Sequence, residues 1–83
     1  MASMASKSDF AIWIVEALRA KGGSASLLDV CKHIWREHEA ELRQSGDAFY
    51  TWQYDVRWVA HRLRRQGVLK AAEVSPRGVW ELT

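Results

Sequence analysis

Apolar positions along this chain fall into three helical registers and then switch to the two-residue alternation of a short strand. In the first register Phe10, Ala11, Ile14, Ala17 and Leu18 share one face, with Trp13 and Val15 beside it and Ile12 near the polar side next to Arg19. The second places Leu27, Val30, Cys31, Ile34, Trp35 and His38 along one stripe, with Leu42 as its last member, opposite Asp29, Lys32, Arg36 and Glu39. In the third, Trp52, Val56, Val59 and Leu63 repeat at intervals of four, three and four, a seam that faces a core. Tyr54, Arg57, His61 and Arg65 project from the other side, and Trp58 and Arg64 sit at its edges.

Turn and cap residues delimit these registers. Ser8 is expected to cap the first helix, with Asp9 near its positive end, and the helix stops at Gly22-Gly23. Ser24-Ala25-Ser26 is either a one-rung strand or an extended linker, and Ser26 caps the second helix. Residues 43–48 read as a loop, and the third helix begins between Phe49 and Trp52 and ends at Gly67. Residues 68–74 and 79–82 are expected as two strands, joined by Ser75-Pro76-Arg77-Gly78 as a type I turn with Pro second and Gly fourth. Trp80 and Leu82 then face one side of the sheet and Glu81 the other. The expected fold is α+β: a winged helix-turn-helix, three helices followed by a two-stranded β-hairpin wing. It occupies residues 8–83, after a disordered start or cloning remnant at 1–7.

Eighty-three residues suffice for one domain, which buries roughly 60% of its unfolded surface, so five tryptophans are a large part of its burial. A single cysteine excludes an internal disulfide. The sequence contains neither a run of the ~20 apolar residues that span a bilayer nor a signal-peptide pattern, so a cytoplasmic protein with no membrane partner is expected. The net charge is only +2, but its distribution is uneven. Residues 56–72 hold Arg57, Arg62, Arg64, Arg65 and Lys70 with no acid, whereas residues 37–47 lean acidic. A locally basic helix beside a hairpin suits contact with a polyanion, and a solvated cationic face is the plainer alternative.

The candidate contacts to double-stranded DNA are Gln53, Tyr54, Arg57, His61, Arg64, Arg65 and Arg77. Arginine pairs with phosphates or reads guanine O6 and N7 through two parallel hydrogen bonds, glutamine reads adenine, and a wing-tip arginine reaches the minor groove. Trp58 is expected to pack between helices, with stacking on nucleic acid as the alternative, and Trp13 and Trp35 to lie in the core or at a self-association surface. Cys31, His33 and His38 do not read as a metal site, because helical geometry separates them and structural zinc requires four converging ligands. No nucleophile set or phosphate-binding glycine loop is present, so neither an enzyme nor a cofactor is expected.

Several segments resemble the N-terminal domain of Mrr-type restriction endonucleases. They are Trp52-Gln53-Tyr54-Asp55-Val56-Arg57-Trp58-Val59, Leu63, Gly67-Val68-Leu69 and the closing Arg77-Gly78-Val79-Trp80-Glu81-Leu82-Thr83. Gly22-Gly23-Ser24-Ala25-Ser26-Leu27 also suits that family's junction between its first two helices. Asp55 stands where the family often has a basic residue, and Arg57 where a small one is common. The resemblance implies a winged helix that binds DNA and targets a separate nuclease domain in a restriction system; transcriptional control is the other role considered. The Glu-x-Lys or Gln-x-Lys that such a nuclease uses does not occur here, so a fused or partner nuclease would lie outside this chain. A homodimer is plausible, since one small domain with few cations binds non-specifically at only ~10⁻⁴ to 10⁻⁶ M.

The rival reading is a protein-docking or dimerisation winged helix that does not bind DNA. It expects an exposed patch of Phe10, Ile12 and Trp13, with Asp55 and Glu73 interrupting the basic face. DNA binding expects that face to run unbroken from the third helix to the wing.

Overall fold

The computed structural model describes residues 6–83; residues 1–5 of the expected disordered start lie outside them. Three helices and a two-stranded antiparallel sheet follow in the order α1 (Lys7–Ala20), β1 (Ser24–Ser26), α2 (Leu27–Arg43), α3 (Ala48–Arg65) and β2 (Val79–Glu81). The fold is therefore α+β.

The first helix begins two residues earlier than expected. Ser6, not Ser8, is its cap. The Ser6 hydroxyl accepts the Asp9 amide at 3.3 Å and the Asp9 carboxylate accepts the Ser6 amide at 3.0 Å, a reciprocal capping box. Asp9 at the third helical position made this cap possible, and it moves the start of the folded domain into the segment expected to be disordered. Ser26 caps α2 as its position implied, accepting the Asp29 amide at 3.1 Å. Helix α2 runs to Arg43 but leaves helical geometry at His38 (φ −131°, ψ 23°), where the imidazole stacks on Trp13 with ring centroids 4.0 Å apart. Helix α3 starts at Ala48, just before the expected window, after a turn of residues 44–47. It ends in a Schellman motif: Val68 N–H donates to Leu63 O (2.9 Å) and Gly67 N–H to Arg64 O (3.1 Å), with Gly67 at φ 81°.

The expected hairpin needs correction. Residues 68–74 do not form a strand. They contribute a single bridge, Leu69 to Leu82, flanked by Lys70 N–H donating to Glu81 O (2.8 Å) and Thr83 N–H donating to Val68 O (3.2 Å), and the chain then turns helically, with Val74 and Ser75 amides donating to Ala71 O. Instead, the main partner of β2 is β1, in the register Ser24–Glu81, Ala25–Trp80, Ser26–Val79. The three-residue serine segment is thus a genuine strand, and β2 lies between β1 and Leu69. The tight turn is also displaced by one residue: Val79 N–H donates to Pro76 O at 3.1 Å, which puts Gly78 at the third position with φ 77°. Type II turns need positive φ there, whereas the expected type I turn put the glycine fourth.

All three helices and the sheet bury one apolar core. Phe10, Ile14, Ala17 and Leu18 of α1 meet Val30, Ile34 and Leu42 of α2 and the Trp52–Val56–Val59–Leu63 seam of α3, with Leu69 and Trp80 closing one end. Ala60 joins the seam, outside the spacing read from sequence. The apolar patch that the docking reading expects on α1 is not open: Phe10 is 2% and Trp13 7% exposed, and of the three only Ile12 stands in solvent. Both rings turn inward because α1 packs against α2 and α3, and Phe10 meets Trp13 edge-on at 5.5 Å.

Candidate nucleic-acid interface

Burial of the Trp52–Leu63 seam fixes which side of α3 faces water. Gln53, Tyr54, Arg57, His61 and Arg65 are all exposed there, as their spacing implied, and Arg62 lies exposed on the flank. Arg77 is exposed at the tip of the turn before β2. A crevice of about 300 Å³ lined by Arg57, His61, Arg64 and Gly78 brings the helix and this turn together.

Arg64 sits differently from the other candidates. It is half-buried and donates from its guanidinium to the Val79 carbonyl at 3.1 Å, while its Nε is buried without a partner. It clamps α3 to β2 and has less freedom to reach an outside ligand than Arg57 or Arg65.

The charges are segregated. Among the described residues the ion pairs are Arg36–Glu37 (3.5 Å), Arg43–Glu39 (2.6 Å) and Lys70–Glu81 (3.9 Å), and the His38 imidazole lies 3.2 Å from Glu16 and 3.9 Å from Glu41. The acids of α2 are thus largely matched within the chain, whereas none of the four arginines of α3 has a carboxylate partner. Asp55, half-buried on the flank of α3 that it shares with Arg62, accepts from Thr51 at 3.3 Å, and Glu73 is exposed in the segment before the turn.

Trp58 departs from expectation. It is 56% exposed and does not pack between helices. The seam itself carried the signal: Trp58 precedes Val59, and one residue along a helix turns a side chain by about 100°, out of the core-facing stripe. Tyr50, 83% exposed, and Leu28 were also not singled out from sequence.

Beside this face lies an open groove of about 740 Å³ between α2 and the start of α3. Cys31, Trp35, Phe49 and Trp52 line it, with Leu28, Lys32, Gln53, Tyr54 and Arg57 around them. The Trp35 and Trp52 rings lie nearly parallel at 6.2 Å, and the Arg43 guanidinium sits 5.3 Å from the Trp35 centroid, a cation–π contact.

Burial of Cys31 pushes its thiol above the ordinary value, against a smaller opposing pull from Arg57. The raised value disfavours the thiolate, so alkylation by iodoacetamide at pH 8 is expected to be slower in the folded protein than in urea. A folded rate equal to the unfolded one would contradict this environment. The same shift has a sign for stability. Its contribution is complete below the ordinary thiol pKa of about 8.5 and is lost as pH rises through the raised value.

Cys31, His33 and His38 do not converge. His38 is held by Trp13 and Glu16, His33 lies 3.3 Å from Arg36, and no group of three potential ligands clusters among the described residues. No helix among these residues is long and apolar enough to cross a membrane.

The fold and this surface define a small α+β domain with a cationic, aromatic helix face whose arginines have no carboxylate partner among the described residues. No family model, curated protein or solved structure matches the chain.

Proposed function

We propose that the chain is a winged helix-turn-helix domain that binds double-stranded DNA, with α3 in the major groove and the turn at Pro76-Arg77-Gly78 as the wing on flanking backbone or in the minor groove. The observation that carries this reading is the unpaired cationic face of α3. Arg57, Arg62 and Arg65 stand in solvent without carboxylates, while the acids of α2 are engaged elsewhere. The element order and the position of β2 between β1 and Leu69 support the fold assignment. The crevice that joins Arg57 and His61 to Gly78 supports a single surface for helix and wing.

Phosphate contacts, Arg57 and Arg65 among them, supply most of the affinity, and Gln53 reads a base edge. The resemblance to the targeting domain of Mrr-type restriction endonucleases extends the proposal to a cytoplasmic restriction system. There the domain performs no chemistry itself and delivers a nuclease carried elsewhere, and a homodimer raises its affinity.

Fluorescence anisotropy of a labelled duplex across a salt series tests this reading. Binding is expected to weaken linearly in log–log form, with a slope of about −0.9 per phosphate contacted. Absence of binding at low salt, or binding indifferent to salt, would overturn it. The groove between α2 and α3 favours a second reading. If the domain docks a protein, the open apolar surface is there, at Leu28, Trp35 and Phe49, and not on α1.

A further inference from the structure

The exposed face of α3 carries more aromatic surface than reading a closed duplex requires. Tyr50, Tyr54 and Trp58 follow one another at intervals of four, and His61 lies three further on. That spacing puts them on one side of the helix, where Arg57 and Arg65 are interleaved with them and Asp55, bonded to Thr51, lies on the flank beside Trp58. Tyr54 meets Trp58 at 6.1 Å and 65°, and Trp58 meets His61 at 6.2 Å and 86°. These contacts are edge-on, so each covers at most one ring face and leaves π-surface open to solvent. Edges of paired bases offer hydrogen-bonding groups, which a bare ring face does not match. An unstacked base offers a flat π-face, which it does match, with a phosphate one bond system away for a guanidinium.

Resting on the DNA-binding reading, we propose that this aromatic ledge captures an unstacked nucleobase together with its phosphate: Tyr54 and Trp58 stack the base, and Arg57 and Arg65 hold the backbone. A groove adjoins the ledge on its Tyr54 and Arg57 side. Tyr54, Gln53 and Arg57 border it, Trp52 lies within it, and its volume of about 740 Å³ exceeds that of a nucleobase. Gln53 supplies both an amide donor and an acceptor for the freed base edge. An unstacked base arises either from a single strand or by extrusion from a duplex, where the cost of unstacking is least at an unpaired position.

Anisotropy with three labelled DNAs of equal length tests the proposal: a matched duplex, a duplex with one unpaired central base, and a single strand. The wild type is expected to bind at least one of the last two about tenfold tighter than the matched duplex, as one base stacked on one ring would give. Trp58→Ala is expected to remove most of that preference while changing matched-duplex affinity less than twofold. Tightest binding to the unpaired-base duplex assigns the source to an extruded base, and tightest binding to the single strand assigns it to an open strand. Equal affinity for all three, or a preference that survives both Trp58→Ala and Tyr54→Ala, overturns the ledge and leaves the duplex reading standing. Failure to bind any of the three overturns both readings and turns attention to a protein partner for this face.

Discussion

Trp80→Ala is expected to destabilise the fold by about 3–5 kcal/mol, the usual cost of truncating a buried indole. Trp80 is 7% exposed, pairs with Ala25 across the sheet and belongs to the same core as the helices. Its loss removes apolar burial and leaves a cavity beneath a sheet that is only two short strands wide. Ala25 cannot fill the space from the facing strand. A domain of this length has a total stability of only roughly 4–12 kcal/mol, so the variant should be partly unfolded at room temperature or have a much lower melting temperature. Urea denaturation followed by circular dichroism measures this. Trp58→Ala provides the control, since a largely exposed ring should change stability by no more than about 0.5 kcal/mol. A loss below about 1 kcal/mol for Trp80→Ala would mean that the sheet does not pack on the helices as described.

Arg57→Ala/Arg65→Ala is expected to weaken duplex binding by about 60-fold at 0.1 M salt and to make the salt slope shallower by about 1.8. Each phosphate contact contributes roughly 0.9 to the slope, which is about a factor of eight at that salt concentration, and two contacts multiply. Both side chains are exposed and neither forms an ion pair, so the fold should be unaffected and the melting temperature unchanged. Arg36→Ala/Arg43→Ala removes the same charge from α2, where each arginine already has a glutamate. It should weaken binding less and leave the slope nearly intact, because the Debye length of about 10 Å at 0.1 M limits what distant charges contribute. If the two double variants lose affinity and slope equally, net charge and not the face of α3 drives binding.

The helices were legible because each buries one stripe, and a stripe leaves a periodic trace in the sequence. The seam at Trp52, Val56, Val59 and Leu63 predicted both the core side of α3 and the exposure of Arg57, His61 and Arg65 on the other. Ser26 and Gly67 marked their boundaries because a cap and a left-handed exit need particular residue types. The resemblance points to a packing role for Trp58, whereas its angular position, one residue off the seam, puts it in solvent. Periodicity places Phe10 on the stripe of α1 with Trp13 beside it; the open patch of the docking reading fails because neighbouring elements cover both rings, which a single helix cannot reveal.

The sheet lay beyond local pattern. Nothing within Ser24-Ala25-Ser26 marks a strand: it has no alternation of large apolar residues and is only three residues long. It becomes one because Val79, Trp80 and Glu81, more than fifty positions later, are brought alongside when the helices close, and the small Ala25 fits opposite Trp80. Conversely, residues 68–74 look extended, yet pairing stops after the bridge at Leu69, whose backbone bonds come from Val68 and Lys70, and the backbone from Ala71 on satisfies itself in a local turn. Arg64 follows the same logic, since its guanidinium is drawn to the Val79 carbonyl only once β2 is docked. By itself, then, the sequence determined the helices, the Ser26 cap, the Gly67 exit and the polar face of α3, which depend on contacts within a few residues. Strand pairing, the course of the turn and the division between structural and free arginines were decided by the tertiary structure, because each depends on groups that meet only after the chain has closed.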